Sequence, residues 1–488
     1  MDTALVDRNE ELRILRREAD ASEARLVLVH GRRRVGKTFL VRHAWKNRRV
    51  LYHLAVDSTS AQNRLELLQE IDRWTDEDLE PEFYPNWRSV FTLLGRIAGE
   101  NPLVVVLDEF QYLLADRGSP SGVPSHLNAA WETDLSDRNL TLILCGSEVG
   151  TMRSLGERGA LYGRMSRELH LTPFDYRQAA LMLGDRPPRE LAYLYGIFGG
   201  TPGYLASVDP SDTLRSASEE KILTTGSPVH LQLETLIEQE EGIDRTGLYR
   251  AVLRAVAGGH TQVNEIAQAA GFERSSKASN TEAARRVLTT LRELGYVRRE
   301  RNFDAGRTTA WRHYLADNAL SFFYRFVHAN RSLLELGAVE KVWNEQVRPQ
   351  LDAYMGWDVF EEMTREAYRR YYDAWNLPAP AEWSRWEGQD RNRRHIEIDL
   401  VCRGADDRLL TGEVKWSSSP IGPGVHRNLQ RDLDDLGSSG YGWARAALDP
   451  ERSAGHLYLS AAGFTDEFER LAENDGRVHL VSLADLYA

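Results

Sequence analysis

One short segment constrains the fold of this chain more than any other: residues 31–38, which read Gly-Arg-Arg-Arg-Val-Gly-Lys-Thr. A short apolar run at residues 26–30 precedes it, and residues 39–45 have the composition of a helix. This is the order strand, G-x-x-x-x-G-K-[ST], helix, in which the glycines let backbone N–H groups turn toward a phosphate. The segment therefore predicts a phosphate-binding loop in a parallel α/β sheet.

Each residue type in this loop predicts a role. Lys37 is expected to reach the β- and γ-phosphates of ATP, and the Thr38 hydroxyl is expected to bind Mg²⁺. A chance match is the alternative, and the flanking strand and helix argue against it. The other residues of the segment that we predict to contact the nucleotide are Gly31, Arg34, Val35, Gly36 and Phe39.

A second apolar run, at residues 103–107, ends in Asp108 and Glu109. Such a run predicts a strand buried on both faces, as parallel sheets require. At the end of this strand, Asp108 is expected to hold Mg²⁺ through water, and Glu109 is expected to orient the water that attacks the γ-phosphate. An apolar strand that is merely capped by acids is the alternative. The acidic pair favours ATP hydrolysis over binding alone.

Two further residues are candidates for the same site. Ser147 follows an apolar run at residues 140–146, where it would either sense the γ-phosphate or simply cap the strand. Arg164 is the candidate for the arginine that stabilises charge in the transition state. Three other arginines lie close to Arg164 in the sequence, Arg153, Arg158 and Arg167, and a merely solvated side chain is the alternative for each.

Taken in order, these motifs resemble the archaeal-type ATPases, which belong to the signal-transduction ATPases with numerous domains (STAND) in the AAA+ lineage. The matching segments are residues 6–12, 31–38, 107–110, 145–147 and 161–164, with a Gly-Thr-Pro element at 200–202. The resemblance covers about residues 1–240. It implies that ATP and ADP are ligands, that Pro202 packs near the adenine, and that Arg8 lies close to the base.

The middle of the chain predicts a helical lid followed by a winged helix. The predicted elements are lid helices at 176–183, 188–198 and 231–242, then helices at 247–256, 263–270 and 281–294, and strands at 296–301 and 308–314. Three helices followed by two strands around a loop are the order of a winged helix. Residues 319–345 then predict a helical linker.

Charge singles out one part of this region. The whole chain has 61 basic and 73 acidic residues, a net charge of −12, which excludes a nonspecific nucleic-acid coat protein. Residues 282–312, by contrast, hold eight arginines against four acids. This basic segment predicts contact with double-stranded DNA, because it includes the helix that would enter a major groove. The alternative is that its arginines pair with acidic residues of another domain.

The C-terminal part contains a group of residues suited to metal chemistry. Residues 395–402 alternate with period two and place Asp399 on one face, and a return strand places Glu413 and Lys415 on one face. If the two faces coincide, two carboxylates and an ammonium meet across a hairpin. Glu361, on a predicted helix at 352–371, completes the candidate metal ligands. This group suits Mg²⁺-dependent phosphodiester cleavage.

The order of elements here, with Asp followed by E-x-K, resembles the PD-(D/E)XK nuclease superfamily. The resemblance covers about residues 346–488 and implies that Asp399, Glu413 and Lys415 are catalytic; Ile398 stands where the family motif has proline. An E-x-K triplet alone is weak, since Glu219-x-Lys221 occurs in a predicted helix of the same chain. The alternative is an inert domain that binds a protein partner.

The fold class predicted from these features is multidomain α/β: a P-loop parallel sheet with a helical lid, a winged helix and a restriction-endonuclease-like domain. The predicted domains are 1–175, 176–242, 243–318, 319–345 and 346–488. We expect a Mg²⁺-dependent ATP hydrolase that acts as a nucleotide switch over its C-terminal modules and acts on DNA. The alternative is a signalling ATPase whose C-terminal domain is inert.

Composition adds three expectations. The chain is 42% hydrophobic and 27% charged, so it can form several packed domains. Its two cysteines, Cys145 and Cys402, exclude a disulfide framework and a cysteine zinc site. The opening residues lack a basic signal region and no apolar run suits a membrane span, which predicts a cytoplasmic protein without membrane contact. Oligomerisation stays open.

Overall fold

The computed structural model describes residues 5–45, 48–99, 102–116, 119–157, 159–240, 243, 245–272, 277–306 and 309–488. The chain divides into two compact units. The first consists of Met1–Pro173 with Thr201–Gly203, and the second consists of Phe174–Gly200 with Tyr204–Ala488. The five domains predicted from the sequence stay a prediction at that finer level.

The first unit is built on a parallel sheet. Its strands are β1 Arg25–His30, β2 Val50–Leu54, β3 Leu103–Asp108, the short pair β4 Ala115–Asp116 and β5 Ser119–Pro120, β6 Leu140–Gly146, and β7 Arg167–His170. The main sheet has the order β2-β3-β6-β1-β7, with parallel pairing throughout. Both β3 and β6 are buried along their whole length, which confirms what their continuous apolar runs predict.

Helices cover both faces of this sheet. They are α1 Asn9–Ala19, α2 Lys37–Ala44, α3 Ser60–Thr75, α4 Trp87–Ile97, α5 Val123–Ala130 and α6 Val149–Glu157, with shorter turns at Pro81–Phe83, Phe110–Leu113 and Trp131–Leu135. Because side chains alternate along a strand, β1 contributes to two apolar clusters. Leu26 and Leu28 pack in one cluster, and Val27 and Val29 pack in the other.

The second unit begins with helices. They are α7 Tyr176–Leu183, α8 Pro188–Phe198, α9 Pro202–Leu205 (whose first two residues belong to the first unit), α10 Leu214–Ser218, α11 Pro228–Glu234, α12 Thr246–Ala257, α13 Val263–Ala269 and α14 Lys277–Glu293. The helix predicted at 231–242 is wrong in its bounds, because Pro228 starts α11 earlier and a separate 3₁₀ turn, Ile237–Gln239, follows. Residues 241 and 242 lie outside the described residues.

An antiparallel strand pair and another series of helices follow. They are β8 Val297–Glu300, β9 Arg312–Leu315, α15 Asn318–Phe322, α16 Arg331–Glu335, α17 Val339–Val342, α18 Leu351–Tyr354 and α19 Phe360–Tyr371. A π-helical turn at Met355–Val359 joins α18 to α19, so the helix predicted at 352–371 contains a wider turn. Three helices and a strand pair thus occur in the predicted order.

A second sheet closes the unit. Its elements are β10 Pro380–Gln389, β11 His395–Gly404, β12 Leu409–Lys415, α20 Gly424–Ser438, α21 Gly442–Leu448, β13 Ser453–Ser460, α22 Asp466–Asn474, β14 Val478–Ser482 and α23 Leu483–Tyr487. The strand order is β10-β11-β12-β13-β14. The first three strands pair antiparallel, and β12, β13 and β14 pair parallel.

The loop between β8 and β9 is anchored in the core of this second sheet. Phe303 is buried beside Trp386 and Trp443, and its backbone N–H donates to the Arg385 carbonyl at 3.0 Å. The tip of the strand pair is therefore part of the packing of the C-terminal domain. No helix in the described part of the chain is long and apolar enough to cross a membrane.

A buried carboxyl lies where α7 and α8 meet α19. Glu366 accepts a hydrogen bond from the backbone N–H of Tyr176 and another from the Tyr195 hydroxyl, each at 3.4 Å. Burial raises the pKa of Glu366 to about 8, and the charges of Glu362 and Asp175 act in the same direction. The folded protein therefore holds a proton here at neutral pH that the unfolded chain releases.

We expect Glu366→Gln to weaken the pH dependence of stability. The folded pKa lies above the unfolded value of about 4.3, so the wild type loses stability as pH rises from about 4 to about 8. The amide has no proton to lose, and the unfolding temperature of the variant should fall less over that range. Thermal unfolding of both proteins across the range tests this, with exposed Glu345→Gln as the control. Parallel curves for all three proteins would contradict the assignment.

Candidate nucleotide and carboxylate–lysine sites

The loop after β1 has little space around its backbone. A Cβ added to Gly31 would lie 2.2 Å from the Leu171 carbonyl oxygen, and Gly36 has a φ of +95°. Only glycine fits the first position, and glycine is strongly favoured at the second. The Lys37 ammonium donates to the Gly31 and Arg32 carbonyls at 2.8 and 3.0 Å, and burial lowers its pKa. The loop thus holds the buried ammonium of Lys37, which is the first residue of α2.

Thr38 and Asp108 meet directly across the sheet edge. The Thr38 hydroxyl donates to Asp108 Oδ2 at 2.8 Å, and the backbone N–H of Glu109 donates to Oδ1 at 3.0 Å. A hydroxyl and a carboxylate are hard oxygen ligands, which Mg²⁺ prefers, so this pair fits the metal. The Tyr52 hydroxyl also donates to Asp108. Sequence analysis missed Tyr52, because no local pattern shows that its strand pairs with β3.

Glu109 belongs to a second hydrogen-bonded group. The Ser147 hydroxyl donates to Glu109 Oε2 at 3.0 Å. The Gln111 amide donates to the same carboxylate and, at 3.1 Å, to Ser147 Oγ. Ser147 therefore contacts the residue predicted to orient water, and its predicted sensing role stays a prediction. Gln111 was not predicted, because a glutamine two residues past the acidic pair has no distinctive pattern.

The residues predicted to surround the nucleotide occupy the same unit. Arg8 donates to the Thr172 carbonyl at 2.7 Å and to Glu11 at 2.9 Å. Arg34, with a φ of +67°, accepts a hydrogen bond at its carbonyl from the Gly203 N–H at 3.2 Å, which places it beside Pro202. Its Nη1 atom is buried without a hydrogen-bond partner among the described residues, which fits an anionic ligand.

Two other residues that were predicted to contact the nucleotide pack against apolar or aromatic neighbours. Val35 is buried in the core beside β1. Phe39 packs against His43 of the same helix, with ring centroids 4.0 Å apart.

Arg164 contacts α5 and the turn that follows it. Its guanidinium donates to Asn128 Oδ1 at 3.3 Å and pairs with Glu132. A role in stabilising transition-state charge would require Arg164 to leave Glu132. Arg158, one of the alternatives, lies outside the described residues.

In the C-terminal domain, β11 and β12 bring the predicted residues together. The last paired positions are Leu400 and Gly412, so Asp399 and Glu413 follow side by side. The Lys415 ammonium lies 2.8 Å from Asp399 Oδ2 and 2.5 Å from Glu413 Oε2. The two predicted faces therefore coincide.

Burial and like charge dominate the electrostatics of this group. Burial and then the charge of Asp399 raise the pKa values of both Glu361 and Glu413. Burial opposes the charge of Lys415, but Asp399 and Glu413 outweigh it and raise the pKa of the ammonium. The carboxylates are thus crowded, with one cation between two of them.

Arg385 is a further cation of this region that sequence analysis missed. It lies on β10, is buried, and pairs with Glu397. Burial opposes its charge, but Glu361 and other groups, including Asp399, raise the pKa of its guanidinium. The sequence offered only one arginine among many here, on a strand whose partner in the sheet was not yet known.

The metal-binding capacity of this group is limited. Within the described ranges, no three His, Cys, Asp or Glu side chains form a metal site by themselves. Asp399 and Glu413 nevertheless supply adjacent carboxylate oxygens, the ligand type that Mg²⁺ prefers. These two residues fit a divalent cation whose other ligands are water or substrate oxygens, and Lys415 neutralises them in this structure.

The basic segment is divided between the two faces of the β8–β9 pair. On the inner face, Arg298 pairs with Glu300 and lies 3.7 Å from Glu362, and Arg312 pairs with Glu387. Alternate residues of a strand point to opposite faces. This inner face matches the domain-pairing alternative for these arginines.

On the outer face, arginines lie over an aromatic ring and are not paired with acids within the described residues. The Arg299 and Arg301 guanidinium groups lie over the Trp311 ring, 4.2 and 4.1 Å from its centroid. Burial, and then the like charges of Arg292 and Arg301, lower the pKa of Arg299. None of these three arginines forms an ion pair with another described residue. The outer face is thus a cationic surface of Arg292, Arg299, Arg301 and Trp311, which we call the Trp311 surface.

The parallel sheet and its loop define the first unit as a P-loop ATPase fold. Residues 5–208 match a family described as an ATPase domain predominantly from Archaea. Residues 323–426 match a family described as archaeal and bacterial proteins of unknown function. The chain is therefore similar to an archaeal-type ATPase domain over residues 5–208 and to that second family over residues 323–426.

Individual relatives span most of the chain. An uncharacterized protein of Methanocaldococcus jannaschii is 25% identical over 418 residues, covering 84% of this chain and 87% of that protein. Among solved structures, a Walker-type ATPase of Pyrococcus abyssi has a TM-score of 0.49 at 22% identity, over 66% of this chain and 96% of that one. The ORC2 protein of Aeropyrum pernix has a TM-score of 0.43 at 16% identity, over 68% and 95%.

Proposed function

We propose that this protein is a Mg²⁺-dependent ATP hydrolase whose nucleotide state controls a C-terminal module that acts on DNA. The observation that carries the ATPase part is the hydrogen bond between Thr38 and Asp108, next to the buried ammonium of Lys37. This arrangement offers oxygen ligands for the metal and a cation for the phosphates within one loop and one strand end.

The surrounding residues supply the remaining chemistry. Glu109 would accept a hydrogen bond from the attacking water, and Ser147 and Gln111 hold its carboxylate in place. Tyr52 and the Glu109 backbone orient Asp108. When bound, Mg²⁺ would neutralise the charge that develops on the phosphate oxygens.

Replacement of Glu109 by Gln should separate ATP binding from hydrolysis. The amide cannot accept a proton from water, so kcat should fall by about 100-fold or more while nucleotide affinity persists. Steady-state phosphate release and nucleotide titration measure the two effects. Exposed Glu82→Gln is the matched control, and Lys37→Ala, which removes the phosphate contact, should lose binding. Full hydrolysis by the Glu109 variant would reject its assigned role.

For the C-terminal part, we propose a winged helix at 243–318 followed by a PD-(D/E)XK nuclease-like domain. The support is the order α19, β10, β11, β12, α20, α21, β13 in a mixed sheet, with Asp399, Glu413 and Lys415 in contact at one position. Asp399 and Glu413 would hold a divalent cation, and Lys415 would orient water or stabilise the phosphate.

A cleavage assay tests this proposal. The assay uses linear, supercoiled and single-stranded DNA in Mg²⁺ or Mn²⁺, with and without ATP. We expect metal-dependent strand scission that is lost in Lys415→Ala, because the cation at the phosphate is removed. A difference between the two ATP conditions would show that the nucleotide controls cleavage. Lys221→Ala, in the other E-x-K triplet, is the matched control. No scission on any substrate, with ATP hydrolysis intact, would reject the nuclease and favour the inert protein-binding module.

We propose that the Trp311 surface is where DNA binds. Its arginines are free of ion pairs within the described residues, whereas the inner arginines are neutralised by acids. A cleft of about 410 Å³ beside it is lined by Arg285, Arg292, Arg299, Trp311 and His313, among others. Guanidinium groups of this kind contact phosphates, and their release of counterions makes binding salt-dependent.

The double variant Arg299→Ala/Arg301→Ala should bind duplex DNA about tenfold more weakly or worse, with a salt dependence reduced by about two charges. Fluorescence anisotropy with labelled duplexes at several salt concentrations measures both quantities. Arg215→Ala/Arg331→Ala is the matched control, because it removes two exposed arginines that already pair with acids. Equal affinities for wild type and both variants would exclude this surface.

A further inference from the structure

Four side chains of the second unit meet at one point beside the carboxylate–lysine site. Asp352 Oδ1 accepts hydrogen bonds from the Tyr193 hydroxyl at 2.5 Å, Trp416 Nε1 at 2.8 Å and Arg189 Nη2 at 3.2 Å. The Arg189 guanidinium also lies 4.6 Å from the centroid of the Trp416 ring, and the Tyr193 ring meets that ring edge-on at 5.2 Å. We call Arg189, Tyr193, Asp352 and Trp416 the Trp416 cluster.

One side of the cluster is connected to the candidate site through neighbours in sequence. Trp416 directly follows Lys415, and the Ser417 carbonyl accepts a hydrogen bond from Arg189 Nη1 at 2.8 Å. The Trp416 ring also packs edge-on against Phe360, which directly precedes Glu361, at 5.3 Å. A shift of Trp416 would therefore move both the end of β12 and the start of α19.

The other side of the cluster is connected to the first unit through the chain. Arg189 and Tyr193 lie on α8, which ends at Phe198. Thr201–Gly203, which belong to the first unit, follow after only two glycines. These glycines form a tight connection. Gly199 has a φ of +65°, and a Cβ on Gly200 would lie 1.8 Å from the Phe174 carbonyl oxygen. Such a short, crowded connection transmits displacement better than a flexible linker would.

The contacts within the Trp416 cluster are of a kind that can break and form again. They are polar and ring-edge contacts, and the Asp352 side chain is 58% exposed. Burial opposes the charge of Asp352, but hydrogen bonds from Tyr193 and Trp416 outweigh it and lower its pKa, so it stays ionised at neutral pH. Exposed charge-assisted contacts of this type change at low free-energy cost, unlike a packed apolar core.

We propose that Trp416 and Asp352 are positioning residues for the Asp399–Glu413–Lys415 group, and that Arg189 and Tyr193 make that positioning depend on the nucleotide. This inference rests on the proposed function, because it assigns the regulation of the same site. Nucleotide binding would shift Thr201–Gly203, α8 would follow, and the Lys415–Ser417 segment would move with the cluster. Asp399 and Glu413 would then hold Lys415 in one nucleotide state and release it in the other.

Hydrogen–deuterium exchange on the full chain tests this coupling without requiring a nuclease substrate. Exchange at residues 409–417 is measured without nucleotide, with ADP and with a non-hydrolysable ATP analogue, in wild type and in Arg189→Ala/Tyr193→Phe. We expect a nucleotide-dependent difference of about threefold or more in wild type. The double variant should lose that difference while its nucleotide affinity stays within about twofold of wild type.

Two further variants separate positioning from general destabilisation. Trp416→Phe keeps a ring and loses the Nε1 hydrogen bond, so it should reduce the exchange difference only in part. Arg215→Ala removes an exposed, paired arginine of the same unit and should leave the difference unchanged.

The outcomes are distinct. Bound nucleotide without any exchange difference in wild type would overturn the inference and leave the ATPase proposal intact. A difference that persists in Arg189→Ala/Tyr193→Phe would also overturn it. Failure of wild type to bind nucleotide would instead reject the proposed function, and the inference with it.

Discussion

The hydrogen bond between Thr38 and Asp108 joins the two segments on which the nucleotide site depends. It links the start of α2 to the end of β3, and so it sets the loop against the strand that carries the acidic pair. Around it, Lys37 is held by loop carbonyls and Glu109 is held by Ser147 and Gln111. Each partner is thus itself held by hydrogen bonds, an arrangement that preorganises the site.

In the C-terminal domain, the corresponding constraint is a group of charged side chains that lie close together. Buried carboxyls at Glu361 and Glu413 lie close to Asp399, and Lys415 and Arg385 offset that charge. Concentrated negative charge of this kind is costly to bury, so its presence is more typical of a functional site than of a core. The inner face of the β8–β9 pair meets the same domain through ion pairs and through the buried Phe303.

Much of this was predictable from local patterns. The loop, the strands at β1, β3 and β6, and the shared face of Glu413 and Lys415 follow from spacing and alternation, which depend only on nearby residues. That Asp399 lies on that same face was conditional in the sequence, and the strand pairing decided it. Tyr52 and Arg385 were not predictable, since their roles depend on partners far away in the sequence, and Gln111 was not predictable because a glutamine beside Glu109 has no distinctive pattern. The helix bounds after residue 228 were mistaken because Pro228 starts α11 earlier and a separate 3₁₀ turn ends the segment.

The sequence by itself determined the class of the first unit, because a phosphate-binding loop needs particular residues at consecutive positions. Only the tertiary structure divided the arginines of residues 282–312, pairing Arg298 and Arg312 with acids and leaving Arg299 and Arg301 on Trp311. Only the tertiary structure placed Arg189 and Tyr193 beside Trp416. Contacts between distant segments depend on how the elements pack, and no local pattern encodes that packing.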